Sequence, residues 1–584
     1  MNAERWSFRV IVLLACVVTV PLHATITSSA LTGRVTVGDK PAVGATVTIA
    51  LRTSKSIRTA TTNKRGTYWL GALIPGDYDV TFSRAGLTSL TRPVTIELGR
   101  VARADARLEA SNDEESVTST ATTVSVANTT AVTTHFSADE LERVPLRRDV
   151  ATAEALAPVL PGSATIVDDT PMFHPTLLGE ETLDETTIVR GAQPIELDRA
   201  GSSVILARTR SGRDELFLSL RETYATADED GHVVEGAGGG SVAPDRLWFF
   251  GSGWVGDAAD IRVRDLRGVL LKLDAQPNES HHFVAMHNAA EATVAGFALA
   301  TRTTSLRYTG VFDERLTAEA VVSRARGDRD EVRLRDDAIT AKVSYRAADH
   351  VVSAGGGRST LRDADANRVN SWFLADRWAS GRWTIDGGVR RQDERTMPRV
   401  AVAFDLRSEQ GSHALVASWG EYLDERPLIS RTPLLRVASV GYTSSLESSG
   451  TARIDLFRFE GARAMDQVQT DVRYRLFDRF EAGGSYVYTK SRESASFLDE
   501  VPEHLLTARV GVQLPVAGRE LSAMALERYD ATTWTTDLGI RYEVPVRRVS
   551  MTLAADVTNL FDADAASAEA SSARAFRLWV RARL

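Results

Sequence analysis

Between Trp534 and Leu584 three segments alternate residue by residue, and this period constrains the chain more than any motif in it. Trp534, Thr536, Leu538, Ile540, Tyr542 and Val544 oppose Thr535, Asp537, Gly539, Arg541 and Glu543. Met551, Leu553, Ala555 and Val557 oppose Thr552, Ala554, Asp556 and Thr558. Phe576, Leu578, Val580, Ala582 and Leu584 oppose Arg577, Trp579, Arg581 and Arg583. A period of two with one apolar and one polar face predicts strands that separate two environments.

The same alternation recurs upstream. Ile339, Ala341, Val343 and Tyr345 oppose Thr340, Lys342, Ser344 and Arg346, and Trp383, Ile385, Gly387 and Val389 oppose Thr384, Asp386, Gly388 and Arg390. Val468, Thr470, Val472, Tyr474 and Leu476 oppose Gln469, Asp471, Arg473 and Arg475. Leu506, Ala508, Val510, Val512 and Leu514 oppose Thr507, Arg509, Gly511 and Gln513. A charge facing lipid near the bilayer midplane costs about 2–4 kcal/mol, so in a membrane barrel the polar sets line the lumen. Residues 214–584 then accommodate about 22 tilted strands, each about 17 residues with its connection. A mean hydropathy of −0.15 does not count against this reading, because lumen-facing residues offset lipid-facing ones.

At 584 residues several domains are expected, and a net charge of −8 excludes a basic nucleic-acid-binding surface. The N-terminus reads as a secretory signal over residues 1–24. Arg5 and Arg9 form the basic part, Val10 to Val20 the apolar part, and Leu22-His23-Ala24 the cleavage site. The apolar run falls short of the ~20 residues of a spanning helix, and no longer one follows, which excludes a helical membrane protein. Cys16, the single cysteine, lies inside this signal. Leu13-Leu14-Ala15-Cys16 offers lipidation as an alternative to cleavage after Ala24; with cleavage there, the mature chain holds no thiol.

Residues 30–109 read as a small Ig-like β-sandwich, with β-rich runs separated by Gly, Pro and Asn turns. Asn63 and Gly66 suit a tight hairpin, and Pro75-Gly76 a turn that delivers Tyr78 and Val80 to the core. Gly33-Arg34-Val35, Gly44-Ala45-Thr46-Val47, residues 61–68, residues 73–80 and Ala85-Gly86-Leu87 resemble the carboxypeptidase-regulatory-like domain. That resemblance implies a fold and no activity.

Residues 110–135 are rich in Ser, Thr, Ala and Val and lack helical periodicity, which predicts a flexible linker. Within it Glu115, Ser116, Val117, Thr118, Ser119, Thr120 and Ala121 resemble the TonB box of outer-membrane active transporters. The resemblance implies that this segment pairs as an added strand with a periplasmic partner, the TonB–ExbB–ExbD complex. Residues 136–212 resemble the plug of the same transporters, in a shortened form. Phe136 to Asp149 match its opening helix and Pro-containing turn, with Ser137 and Glu140 as a capping box. Val204 to Gly212 match its final strand, and Thr187-Ile188-Val189-Arg190-Gly191 a third strand in which Arg190 stands where an acid or Asn is usual.

Several barrel hairpins resemble the Oar-like branch of the TonB-dependent receptors. These are Phe373–Trp378 with Trp383–Arg390, Pro398–Leu406 with Ala417–Asp424, and the closing hairpin Met551–Asp562 with Ala575–Leu584. Leu584 replaces the usual terminal aromatic, and the outer loops are short. The fold class expected is therefore all-β: sandwich, small plug and a transmembrane antiparallel barrel.

Other candidate sites have simpler readings. His281 and His287 share one strand face and His282 the other, too far apart for a metal. Asp328-Arg329-Asp330-Glu331 and Arg335-Asp336-Asp337 are read as solvated loop, with calcium binding as the alternative. Gly236 to Gly240 are read as loop, since neither a helix nor Lys-Ser/Thr follows to cradle phosphate. Ser203 and Ser211 belong to no nucleophile motif, so neither an enzyme nor a cofactor is expected. Trp372, Trp378, Trp383, Trp419, Tyr345, Tyr422, Tyr474, Tyr486 and Tyr488 are assigned to interfacial girdles.

The resemblance implies active uptake of a scarce solute, of siderophore, oligosaccharide or peptide class. Its implied partners are the TonB complex, outer-membrane lipid and the barrel-assembly machinery. A non-transporting barrel in adhesion or secretion, and a soluble stack of sandwiches, are the alternatives.

Overall fold

A computed structural model describes residues 29–109 and 130–584, less short stretches of which the longest are 424–433, 492–502 and 562–573. The signal segment, Cys16 and Glu115 to Ala121 lie outside the described residues.

The N-terminal sandwich packs two sheets. In one, Ser29–Val37 pairs with Lys40–Pro41 and Thr67–Leu73 and, in parallel, with Val101–Arg103 and Ala106–Leu108. In the other the order is Ile57–Thr61, Thr46–Leu51, Gly76–Ser83, Leu90–Ile96. Between them Leu31, Val35, Val47, Ile49, Tyr68, Tyr78, Val80 and Phe82 form a dry core. The Asn63–Gly66 turn takes the expected form: Asn63 Oδ1 accepts from the Arg65 and Thr67 N–H groups, and Gly66 has a positive φ of 71°.

Strands from Phe217–Thr226 to Ala575–Arg583 form a closed antiparallel barrel of 22 strands. The last strand closes on the first in the register Ser219↔Arg583 to Thr226↔Phe576, which removes both sheet edges. Leu218, Leu220, Leu538, Ile540, Leu553, Phe576, Leu578 and Val580 are exposed on its outside, while Arg541, Arg577 and Arg581 are buried inside. The alternation is thus apolar outward and polar inward, as in a membrane barrel. No helix among the described residues is long and apolar enough to cross a membrane.

Four expectations are corrected. Gly236 to Gly240 lie within the strand Asp230–Ala243, not in a loop. The chain leaving the plug passes against this strand: a Cβ on Gly239 would lie 2.6 Å from the Phe249 carbonyl oxygen and 3.3 Å from Gly212 Cα. Asp328-Arg329 and Arg335-Asp336-Asp337 lie within the facing strands Leu316–Arg329 and Val332–Ala347, not in a solvated loop, and Asp330 sits in the turn between them. Asp336 is buried and accepts from Ser359 Oγ at 2.5 Å, while Asp337 pairs with Arg324 and Arg335. Tyr422 faces the lumen, buried beneath the Arg399 guanidinium at 4.3 Å, because it closes an apolar contact with the plug; Trp372, Trp383, Trp419 and Tyr474 do face outward. Finally, the end of the linker stretch is ordered. Val132–Ser137 is a strand paired with Leu183–Arg190, and its β-branched residues extend the plug sheet.

One end of the barrel carries the start of its first strand and the end of its last. At that end the Arg346 guanidinium lies 4.8 Å over the Trp69 ring of the sandwich. There too Thr130, where the linker meets the plug, bonds Asp386 close to the start of Trp383–Gln392.

Candidate functional site: the plug and its seat

The plug lies inside the barrel as a small sheet in the order Val132–Ser137, Leu183–Arg190, Ser203–Thr209, Ala164–Val167, Thr170–Pro171. Two short helices accompany it, α1 (Ala138–Arg143) and α2 (Val150–Leu156). The capping box is present: Glu140 N–H donates to Ser137 Oγ, and the Ser137 N–H to Glu140 Oε2 at 2.9 Å. Asp149 caps α2 by accepting from the Thr152 N–H at 2.9 Å.

The inward arginines of the closing strands need buried anions, and barrel Asp556, which pairs with Arg541 at 3.0 Å and Arg577 at 3.2 Å, and the plug both supply them. Glu180 pairs with Arg221 at 2.7 Å and Arg577 at 3.4 Å. Glu181 pairs with Arg210 at 3.0 Å, Arg148 at 3.4 Å and Arg581 at 3.7 Å, and accepts from Ser219 Oγ at 2.9 Å. Glu142 pairs with Arg148 at 2.8 Å and also with Arg581. Glu235, on the barrel wall, accepts the N–H groups of Glu180 at 3.1 Å and Glu181 at 2.9 Å. Barrel guanidiniums also cap plug carbonyls: Arg541 donates to Arg143 at 2.9 Å and Val144 at 2.8 Å, and Arg577 to Leu146 at 2.9 Å.

Burial works to raise the carboxyl pKa values here, but the surrounding guanidiniums outweigh it. Arg581, Arg148 and Arg583 hold Glu142 at about 2, and Arg221, Arg577 and Arg147 hold Glu180 at about 2. Glu181 is held well below the usual carboxylate range by Arg148, Arg210, Arg581 and Arg221, again against burial.

Two further contacts fix the plug elsewhere. Asp168 and Asp169 both adopt left-handed φ values in a two-residue hairpin turn, as Asp tolerates. Asp168 meets Lys272 at 3.4 Å, and Asp169 meets Arg307. Across the lumen Arg399 donates to the Pro194 carbonyl at 2.7 Å, and Arg390 to those of Ile195 and Glu196 at 3.3 and 3.2 Å. Here Leu197 and Val204 pack with Tyr422, Leu435, Val437, Phe457 and Phe459. The shortened plug therefore reaches opposite walls, by buried charge on one side and apolar packing on the other.

Arg190 is buried in the plug strand and donates to Thr134 Oγ1, and barrel Asp471 and Asp455 act on it as opposing charges. Those aspartates compensate a base at a position where the resemblance leads to an acid. The histidines are dispersed: His281 stacks on Tyr308, His282 meets Asp274 at 3.4 Å, and His287 bonds Thr304. Ser203 is buried in the plug sheet.

Sequence reasoning placed Arg577, Arg581 and Arg583 in the lumen but did not single out Glu142, Glu180, Glu181 or Glu235. The signal was available in the adjacent acids Glu180-Glu181, which such an arginine row would need.

Comparisons with known proteins agree with this architecture. Residues 30–109 match the carboxypeptidase regulatory-like domain. The TonB-dependent transporter Oar of Myxococcus xanthus is 24% identical over 264 residues, covering 36% of this chain and 25% of the relative. The chain is thus similar in part to a TonB-dependent transporter. It spans about a quarter of the length of that curated relative. Among solved structures, the siderophore receptor PirA from Pseudomonas aeruginosa superimposes with a TM-score of 0.65 at 12% identity, covering 77% of this chain and 99% of that one. BauA, the ferric preacinetobactin receptor from Acinetobacter baumannii, gives 0.61 at 12% identity, covering 79% and 97%. These likenesses show the fold. The curated relative is named a transporter and the two solved neighbours are named receptors.

Proposed function

We propose that the protein is an outer-membrane receptor for TonB-dependent uptake of a scarce solute, with the plug as its gate. The observation that carries this reading is the plug seated by Glu180 and Glu181 on Arg221, Arg577 and Arg581. A plug held by a compact set of ion pairs is a two-position element, retained at rest and releasable by force on the chain that leads into it.

That chain is the linker before Thr130. In this reading the domain order stands as expected: signal 1–24, sandwich 30–109, linker, plug and barrel. The sandwich lies in the periplasm, because its contact at Arg346 and the Thr130–Asp386 bond share the end of the barrel that carries both barrel termini. Glu115, Ser116, Val117, Thr118, Ser119, Thr120 and Ala121 add as a strand to the TonB protein of the TonB–ExbB–ExbD complex. The barrel reaches the membrane through the barrel-assembly machinery.

Deleting residues 115–121 tests the reading. Growth on the limiting solute should be lost while heat-modifiable gel mobility, the mark of an inserted barrel, is kept. Uptake that persists in the deletion excludes active transport through this segment. Growth of a null strain under separate nutrient limitations identifies the solute.

One observation favours a second reading, a non-transporting barrel in adhesion or secretion. Most connections at the rim away from the chain termini are very short, such as 295–296, 330–331 and 393–394; the longer ones are 424–433, 492–503 and 559–574. Loss of growth in the deletion strain decides against it.

A further inference from the structure

On the outer face of the barrel, near the rim away from the chain termini, three arginines stand directly opposite one another on neighbouring strands. Arg302 of Phe297–Val311 faces Arg326 of Leu316–Arg329, which faces Arg335 of Val332–Ala347. All three point outward, since their neighbours Thr301, Thr303, Ala325 and Asp336 are buried in the lumen. Directly opposed side chains lie about 5 Å apart at Cβ, and like charges so placed destabilise a sheet. Exposed Arg333 and Arg368 extend the arc. Its carboxylates among the described residues are Asp328, directly opposite Arg333, and Asp337, shared between Arg324 at 2.6 Å and Arg335 at 2.7 Å. Neither Arg302 nor Arg326 forms an ion pair among the described residues.

Elsewhere on the outer face the same rim is neutralised in pairs. Arg436 meets Glu421 at 2.9 Å, Arg458 meets Asp466 at 3.0 Å, Arg264 meets Glu229 and Arg267 meets Glu291. The arc thus differs from these four pairs. Its depth is also defined. Arg302, Arg326 and Arg335 share their strand faces with exposed Leu306, Val322 and Ile339, two same-face positions away. Each such step is about 7 Å along the strand, which puts the guanidiniums just beyond the apolar belt.

We infer that this arc binds the phosphate groups of an outer-leaflet lipid, the phosphorylated diglucosamine of lipopolysaccharide. Guanidinium forks bind phosphate oxygens bidentately, and one phosphate between Arg302 and Arg326 converts their repulsion into two charge-assisted contacts. The acyl chains of such a lipid would lie along Leu306, Val322 and Ile339. The assignment to the outer leaflet rests on the orientation under Proposed function, in which the end with the chain termini is periplasmic.

The test uses full-length protein, delipidated in detergent and titrated with bis-phosphorylated lipid A, fully dephosphorylated lipid A or inorganic phosphate, with bound lipid read by native mass spectrometry. The variant R302Q/R326Q/R335Q should retain about tenfold less phosphorylated lipid A, and Arg326→Gln alone about threefold less if the triple variant does not insert. Binding of dephosphorylated lipid A should not change, and R436Q/R458Q should behave as the unaltered protein. Equal retention by the unaltered protein and the variants, or a matching loss in R436Q/R458Q, overturns the proposal. So does displacement of lipid A by millimolar inorganic phosphate, which would mark a general anion site. A separate readout checks the orientation: Asp330→Cys should react with a membrane-impermeant maleimide on intact cells. Reaction only after permeabilisation overturns the orientation itself, whereas surface reaction with unchanged lipid retention overturns the arc alone.

Discussion

Arg577 of the last barrel strand lies 3.4 Å from Glu180 of the plug while its other terminal nitrogen donates to the Leu146 carbonyl at 2.9 Å. The strand that closes the ring is therefore also a wall against which the plug is held. Closure of the barrel and retention of the plug depend on the same residues.

Removing Glu181 leaves Arg148, Arg210 and Arg581 buried with less opposing charge. Loss of one partner of a buried pair costs about 3–5 kcal/mol, and Glu181→Ala should loosen the plug by that order. Hydrogen exchange over Leu183–Arg190 and Ser203–Thr209 measures it, and protection equal to that of the unaltered protein would refute the seat.

The seat should also respond to acid. Glu142 and Glu180 have folded values of about 2, below their ordinary 4.5, because the guanidiniums outweigh burial. A lowered carboxyl pKa adds stability that is present above pH 4.5 and lost as the pH falls toward 2. Conductance of the reconstituted barrel should stay low at neutral pH and rise across that window. Conductance independent of pH between 5 and 2, in single channels that remain inserted, would contradict the assignment.

Two glycines of one run should behave oppositely. A Cβ on Gly236 meets nothing within 4 Å, but one on Gly239 would lie 2.6 Å from the Phe249 carbonyl oxygen. Gly236→Ala should leave the thermal midpoint of the inserted barrel nearly unchanged, and Gly239→Ala should lower it or prevent insertion. Equal behaviour of the two would remove the close approach as the reason for glycine.

Trp579 is buried on the lumen face of the last strand. Its Nε1 donates to Asp556 at 3.1 Å, and the Arg221 guanidinium lies 4.0 Å over its ring. Trp579→Ala should destabilise the barrel seam by about 3–5 kcal/mol. Trp579→Phe, which keeps the ring, should cost markedly less in denaturant titrations of the folded, inserted protein.

The alternation of Phe576, Leu578 and Val580 with Arg577, Trp579 and Arg581 was legible from the chain alone, because side-chain direction in a strand depends only on parity. The Ser137–Glu140 capping box and the Asn63–Gly66 turn were legible for a similar reason: their partners lie within four residues. Gly236 to Gly240 misled, since glycine in a strand and glycine in a loop differ only in what packs against them, here Gly212 and Phe249. Tyr422 misled because an aromatic at a strand end suits a girdle or a lumen contact equally well. Its parity within Ser412–Leu423, shared with the buried Ala414 and Val416, separates the two.

By itself the sequence determined the alternating strands and their two faces, since parity is written in spacings of a few residues; the order of sandwich, plug and barrel came from resemblance. Tertiary structure alone decided that Ser219 meets Arg583, that Glu180 meets Arg577, and that Arg302, Arg326 and Arg335 stand in one row. Those pairings follow from cross-strand register and from ring closure across hundreds of residues, and no local spacing encodes either.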